Sequence, residues 1–313
     1  MTGQQGVATR ESQGRNTHPD EVFAAHERVL ARSAAQNRYF EVAGGRRIHA
    51  IERIGDGTPL VLLHGSGPTA LQFLPLLERL TDVRAIAVDR PGFGLSDPIE
   101  PPSEDYREAA VDSVNLILDG MGLTETALLG NSAGGTCALW YALAHPDRVT
   151  RLVLLGAPPL LPGTRVPPPL LAVATPSAGP PPEMPPPSTE TVIQSMSIFG
   201  EGETIARYPE QLEAMVAAGN DQLLAGVRLA ELRALIAPNG WQPALAMRPD
   251  ELQALTVPTL LVWGEQDPLG GADVARTVAA TIPDAQLELL PAGHGPWLGH
   301  RDRVAAMVRD FVR

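Results

Sequence analysis

Lysine is absent from this chain of 313 residues, so all 24 basic side chains are arginine. That excludes a Schiff-base lysine and a phosphate-binding P-loop, since both need the missing amine. Positive charge is scarce altogether. The formal net charge is −12 and the pI is near 5.0, so a basic footprint for nucleic acid or an anionic membrane is not expected. Cysteine is nearly missing as well. The single Cys137 can form neither an internal disulfide nor a cysteine-based metal site, which makes a reducing, cytoplasmic compartment the default. It lies in a helix-prone stretch and reads as a core residue. No apolar run approaches the ~20 residues that span a bilayer. Residues 1–37 form a polar N-terminal extension, with neither the basic start nor the apolar core of a signal peptide. No His/Asp/Glu group has metal-ligand spacing, and no dinucleotide fingerprint occurs. The expectation is therefore no cofactor and no metal. The partner expected is a small-molecule substrate, with no nucleic acid and no membrane; a homodimer stays open.

What is present is an alternation of short apolar runs and helical patterns. Residues 38–54 read as a β-hairpin turning at Gly44-Gly45. Strands follow at residues 59–63 and 83–88, before the elbow at Ala127-Leu128-Leu129, and at residues 149–155. Residues 21–35, 70–80 and 103–121 have helical spacing between them. Such a rhythm implies an α/β fold, with a mostly parallel sheet and helices on both faces. Ligands then bind at the carboxyl ends of the strands. The rhythm breaks after Ala157. Residues 158–187 are dense in proline, including Pro167-Pro168-Pro169, Pro180-Pro181-Pro182 and Pro185-Pro186-Pro187. This reads as an extended lid element or a disordered loop, neither a helix nor a central strand. Helical patterns resume at residues 190–199, 208–218 and 221–236. The expected organisation is a core of residues 38–157 and 249–313 with a cap or lid inserted at 158–248.

Four segments carry chemistry. Gly130-Asn131-Ser132-Ala133-Gly134-Gly135 lies between an apolar strand and a helix-prone run, the context of a nucleophile elbow. A serine nucleophile needs a base, and the base needs an orienting acid. Asp267 lies in the turn after the apolar run 257–263, and His294 lies after the run 287–290. Each has a plain reading alone: a helix cap, a turn residue, a structural histidine. Their order and their places at strand ends favour chemistry. Glu265 is the rival acid, two places too early to point the same way. Upstream, a buried strand runs into His64-Gly65-Ser66-Gly67-Pro68. A backbone N–H of Ser66 or Gly67 there, with that of Ala133, could hold an oxyanion. His64 reads as an organiser of that loop, and Asp89 and Arg90 as residues that hold their own turn. Trp297, Trp241 and Met196 are candidates for an apolar pocket wall, against a plain reading as core. Arg228 and Arg233 read first as solvated helix positions.

These segments, with Asp89-Arg90-Pro91-Gly92-Phe93-Gly94-Leu95-Ser96-Asp97, make the chain resemble the α/β-hydrolases that carry a cap domain. The resemblance spans about residues 40–313. The Gly-Asn-Ser-x-Gly-Gly elbow and the His-Gly-Ser-Gly-Pro loop also resemble the C–C hydrolases of ring-fission products. Those enzymes usually carry methionine after the serine and tryptophan after the histidine, where this chain has Ala133 and Gly295. The resemblance implies a cofactor-independent serine hydrolase of a small, largely apolar ester or lactone, with Ser132, Asp267 and His294 as its triad. Serine at the elbow argues against haloalkane dehalogenases and epoxide hydrolases, which use aspartate there. The alternatives are a C–C hydrolase of vinylogous diketo acids, with Arg228 for the carboxylate, and acyl transfer or perhydrolysis on the same triad. A slow-turnover, receptor-like binding protein is the reading from a different class.

Overall fold

The computed structural model describes residues 20–67, 69–98, 105–175 and 187–313. Helix α1 (Asp20–Leu30) precedes a hairpin of β1 (Gln36–Val42) and β2 (Arg46–Arg53). Then come β3 (Leu60–Leu63), a 3₁₀ turn at Ala70–Phe73, α2 (Leu74–Leu77), β4 (Ala85–Val88) and α3 (Tyr106–Gly120). The elbow strand β5 (Thr126–Asn131) leads into α4 (Ala133–Ala144) and β6 (Val149–Leu155). The inserted segment holds α5 (Pro168–Ala174), α6 (Thr189–Ile198), α7 (Gly202–Ile205), α8 (Pro209–Gly219) and α9 (Gln222–Leu235). A small ladder of β7 (Ile236–Ala237) and β8 (Gly240–Trp241) closes it, and α10 (Pro249–Gln253) leads back to the sheet. The chain ends with β9 (Thr259–Gly264), α11 (Ala272–Thr281), β10 (Ala285–Leu290), α12 (Pro296–Gly299) and α13 (Arg301–Val312).

Eight strands form one sheet in the order β1-β2-β4-β3-β5-β6-β9-β10. The β1–β2 and β2–β4 pairs are antiparallel and the rest parallel. Strands β3, β4, β5 and β9 are buried along their whole length, which is why they read as continuous apolar runs. Alternate residues feed two separate cores. Val61, Leu63, Ile86 and Val88 meet α3 and α4 on one face, while Leu60, Leu62, Ala85 and Ala87 meet α1, α2 and α13 on the other. Every motif singled out in the sequence follows the carboxyl end of a strand.

Two readings change. The polar extension does not run to residue 37, because α1 buries Val22, Ala25, His26, Val29 and Leu30, and β1 is already paired at Gln36. Helix α1 also lies against the insertion. Arg28 Nε donates to Glu213 of α8 at 2.8 Å, and Arg32 pairs with Glu210 of the same helix. The proline-dense segment is also more structured than expected in its first half. Leu160 and Leu161 are buried, and Pro168 opens helix α5, where a missing N–H is tolerated. Residues 176–186, with Pro180-Pro181-Pro182 and the first two prolines of the Pro185 triplet, lie outside the described residues.

Candidate active site

Ser132 stands between β5 and α4 with φ 54° and ψ −128°, a conformation that L-residues rarely adopt. The turn closes because its neighbours lack side chains. A β-carbon on Gly130 would stand 2.5 Å from Gly135 Cα, and one on Gly134 would stand 2.2 Å from Leu63 O. The loop after β3 crosses directly above: a β-carbon on Gly65 would meet Ser132 Cβ at 2.8 Å and its Oγ at 3.4 Å. Asn131 ties the elbow to its surroundings, with Nδ2 donating to Leu155 O at 2.8 Å and to His294 O at 3.3 Å.

Asp267 is 2% exposed and has every oxygen engaged. Oδ1 accepts the Leu269 N–H at 2.9 Å, and Oδ2 accepts the Ala157 N–H at 2.8 Å. Oδ2 also lies 2.8 Å from His294 Nδ1. A carboxylate so placed draws the proton to Nδ1 and leaves Nε2 as the basic nitrogen. That Nε2 is buried and has no hydrogen-bond partner, so the contact to Ser132 Oγ is not closed in this conformation. Hydrogen bonds of this kind often tighten only with substrate bound. The rival Glu265 is exposed, its backbone N–H donating to Leu290 O.

Ser66 and Gly67 form the bend beside Ser132, Gly67 with φ +114°. Among the described residues, no backbone carbonyl accepts from the N–H of Ser66, Gly67 or Ala133. Ala133 is the first residue of α4, where N–H groups have no partner within the helix. His64 organises the loop through both ring nitrogens. Its Nε2 accepts the Arg90 N–H at 3.0 Å, so Nδ1 carries the proton shared with Gly65 O at 2.8 Å. Burial and the Arg90 charge lower its pKa to about 4, which keeps this neutral form.

Arg90 does more than hold its turn. Its guanidinium donates to His64 O at 2.9 Å and Gly65 O at 3.1 Å, and it grips both oxygens of Glu231 on α9. Tyr106 Oη donates to Glu231 at 2.9 Å. Burial alone would raise the Glu231 pKa, but Arg90 overrides it and brings the value to about 2. The loop beside Ser132 is thereby wired to the insertion. Asp89 holds the turn as expected, accepting the Ala70 N–H at 2.6 Å and the Leu95 N–H at 2.9 Å.

Arg228, one turn before Glu231 on α9, is exposed as the solvated reading expected, but its side chain lies along the loop beside Ser132. A β-carbon on Gly67 would stand 3.0 Å from its Nε and 3.1 Å from its Cζ. The side chain is wetted, yet enough protein surrounds it that desolvation lowers its pKa. Together these place an accessible guanidinium against the Gly67 backbone beside the Ser132 loop. No described residue accepts a hydrogen bond from it or pairs with it. Arg233 is exposed.

The three apolar candidates are not brought together. Trp297 is 2% exposed, donates Nε1–H to Gln72 O at 2.9 Å and lies 5.4 Å from the Phe73 ring, so its contacts are those of a core residue. Met196 packs against the same core, whereas Trp241 packs against the core on the other face of the sheet. A pocket wall built from all three is thus corrected. The residues the sequence did not reveal are Glu231, which interrupts the buried stripe of Leu224, Leu232 and Leu235, and the pair Phe199 and Glu201. Among the described residues no group of three or more His, Cys, Asp or Glu could hold a metal ion. Nor is any described helix long and apolar enough to cross a membrane.

A family model described as alpha/beta hydrolase fold matches residues 58–300. The chain belongs to the α/β-hydrolase family. It is an enzyme of the hydrolase class. Among the relatives of this α/β-hydrolase is 2-hydroxymuconate semialdehyde hydrolase of Pseudomonas sp. (strain CF600), 30% identical over 293 residues, covering 87% of this chain and 92% of that one. Another is a pimeloyl-[acyl-carrier protein] methyl ester esterase of Shewanella woodyi, 30% identical over 276 residues, covering 84% and 96%. The solved carboxylesterase CesB (YbfK) of Bacillus subtilis superposes with a TM-score of 0.73 at 21% identity, over 93% of this chain and 96% of that one, and shares the fold.

Proposed function

We propose that this α/β-hydrolase is a cofactor-independent serine hydrolase of a small carboxylate-bearing ester or lactone. His294 Nε2 takes the proton from Ser132 as Oγ attacks the carbonyl, and Asp267 steadies the imidazolium. The N–H groups of Ala133 and of Ser66 or Gly67 receive the oxyanion. Water activated by His294 then releases the acyl group from Ser132. The observation that carries the substrate class is Arg228: an accessible arginine without a described partner, held against Gly67 beside Ser132, suits a carboxylate on the substrate. This narrows the largely apolar substrate expected from sequence to an apolar body with one anionic end.

The same arginine supports a second reading, C–C hydrolysis of a vinylogous diketo acid, whose carboxylate it would hold. Relatives named as hydrolases of 2-hydroxymuconate semialdehyde and 2-hydroxy-6-oxononadienedioate add weight to it.

The test compares the monomethyl and dimethyl esters of one short dicarboxylic acid, in wild type and Arg228→Met. Wild type is expected to favour the monoester by about tenfold or more in kcat/KM, and R228M to lose that preference, as removal of a charge-assisted hydrogen bond implies. An unchanged ratio in R228M would refute the assignment. Steady-state turnover of a ring-fission dienol acid, faster than of either ester, would decide for the C–C reading.

A further inference from the structure

Glu201, between α6 and α7, is a carboxylate only 2% exposed, and the chemistry above makes no use of it. Its Oε1 accepts the Gly295 N–H at 2.9 Å, immediately after His294. The preceding turn of the insertion grips His294 itself. Phe199 O accepts the His294 N–H at 2.9 Å, and the Phe199 ring stacks on the imidazole at 5.4 Å with an interplanar angle of 28°. Backbone meets backbone here: a β-carbon on Gly293 would stand 2.2 Å from Phe199 O and 2.9 Å from Gly200 Cα. The loop that carries the base is therefore held from two sides. Asp267 holds Nδ1 from the loop after β9, and residues 199–201 hold the backbone and the ring face from the insertion.

Two carboxylates consequently face His294, Asp267 and Glu201, and no described arginine pairs with either. Burial raises the Glu201 pKa, while the Gly295 hydrogen bond and the nearby His294 oppose that rise. A bare loop anchor could have been an amide or a hydroxyl. A buried acid is costly unless its charge is used or its proton is kept.

We propose that Glu201 is a positioning residue for His294: with the carbonyl and ring of Phe199 it fixes the imidazole over Ser132 and steadies the charge that His294 gains, so that the base is competent only when the insertion is seated. The inference rests on the Ser132–His294 reading but not on any substrate class.

The experiment follows the rate at which a fluorophosphonate labels Ser132 in the full chain, across pH, in wild type, Glu201→Gln and Glu201→Ala. Kinetics on p-nitrophenyl acetate run in parallel. E201A should label about 10- to 100-fold more slowly, the scale of a catalytic group displaced by ~1 Å. Its kcat should fall with KM changed by less than about twofold, as expected when an interaction made in the transition state is lost. E201Q keeps the acceptor for Gly295 and should recover most of that rate at neutral pH. Its acidic limb should move to lower pH, because a carboxylate beside a base favours the protonated form and the amide does not. A folded E201Q and E201A that both match wild type in rate and limb would overturn the inference while leaving Ser132 in place. If E201A does not fold, E201Q decides alone: a wild-type rate with an unmoved limb overturns it. Absence of labelling in the wild type would instead sink the serine reading, and this inference with it.

Discussion

Arg90 and Glu231 meet in a two-toothed ion pair, Nη1 to Oε1 at 2.6 Å and Nη2 to Oε2 at 3.0 Å, across the seam between the loop after β4 and helix α9. Both side chains are nearly inaccessible. The same guanidinium holds the carbonyls of His64 and Gly65, and the same carboxylate takes the Tyr106 hydroxyl. One ion pair thus sets the position of the insertion and the shape of the loop above Ser132.

Glu231→Gln should therefore damage both. An arginine left buried without its counter-ion costs about 3–5 kcal/mol of stability. Denaturant unfolding should show a loss on that scale, and activity per folded molecule should fall too, as the Gly65–Gly67 bend loosens. A variant with wild-type stability would show that the pair does not hold the seam.

Stability should also fall on the acid side in two stages. Burial lowers the pKa of His26 and of His64 from 6.5 to about 4, so the unfolded chain binds their protons first as the pH drops. Native stability then drains between pH 6.5 and about 4. Glu231 acts lower: its folded value of about 2 lies below the ordinary 4.5, so its contribution is whole above 4.5 and is lost as the pH falls towards 2. Thermal melts from pH 7 to 4 should show a steady decline, shallower in His26→Gln. A flat profile in wild type across that range would contradict the assignment of two buried neutral histidines.

The sole thiol should be silent. Cys137 is 4% exposed on α4, and burial pushes its pKa up to about 11. A disulfide reagent should titrate no thiol in the native protein and one after unfolding. Fast native reaction would mean that α4 opens.

Chelation should leave the enzyme unaffected. The proposed chemistry runs through Ser132, Asp267 and His294 alone, so EDTA and exhaustive dialysis should preserve esterase activity. Activity lost and then restored by a divalent ion would require another mechanism.

Much of this architecture is written locally. The hairpin at Gly44-Gly45, the doubly buried strands and the elbow glycines each follow from a few adjacent residues. Residues 70–80 were harder: the helical pattern is real, but Pro75 and the short run split it into a 3₁₀ turn and the single turn of α2. Charges buried by tertiary contact were harder still. Glu231 looks like an ordinary solvated helix residue, and only the approach of Arg90 shows otherwise; Arg228 is exposed as read, and only its place against Gly67 comes from tertiary contact. Glu231 left one trace, an acid on the apolar stripe of α9. Glu201 left none, because its partner Gly295 is 94 positions away. Trp297 stands in the sequence as a pocket candidate against a plain reading as core, and α12 turns its ring onto Phe73, in the core.

The central claim is that Ser132 is the nucleophile, and intact-mass and peptide-mapping analysis after fluorophosphonate treatment tests it most directly. The account predicts one adduct per chain, located on Ser132, abolished in Ser132→Ala together with hydrolysis while the melting temperature stays nearly unchanged. A folded wild-type protein that takes up no adduct, or takes it on another residue, would contradict it.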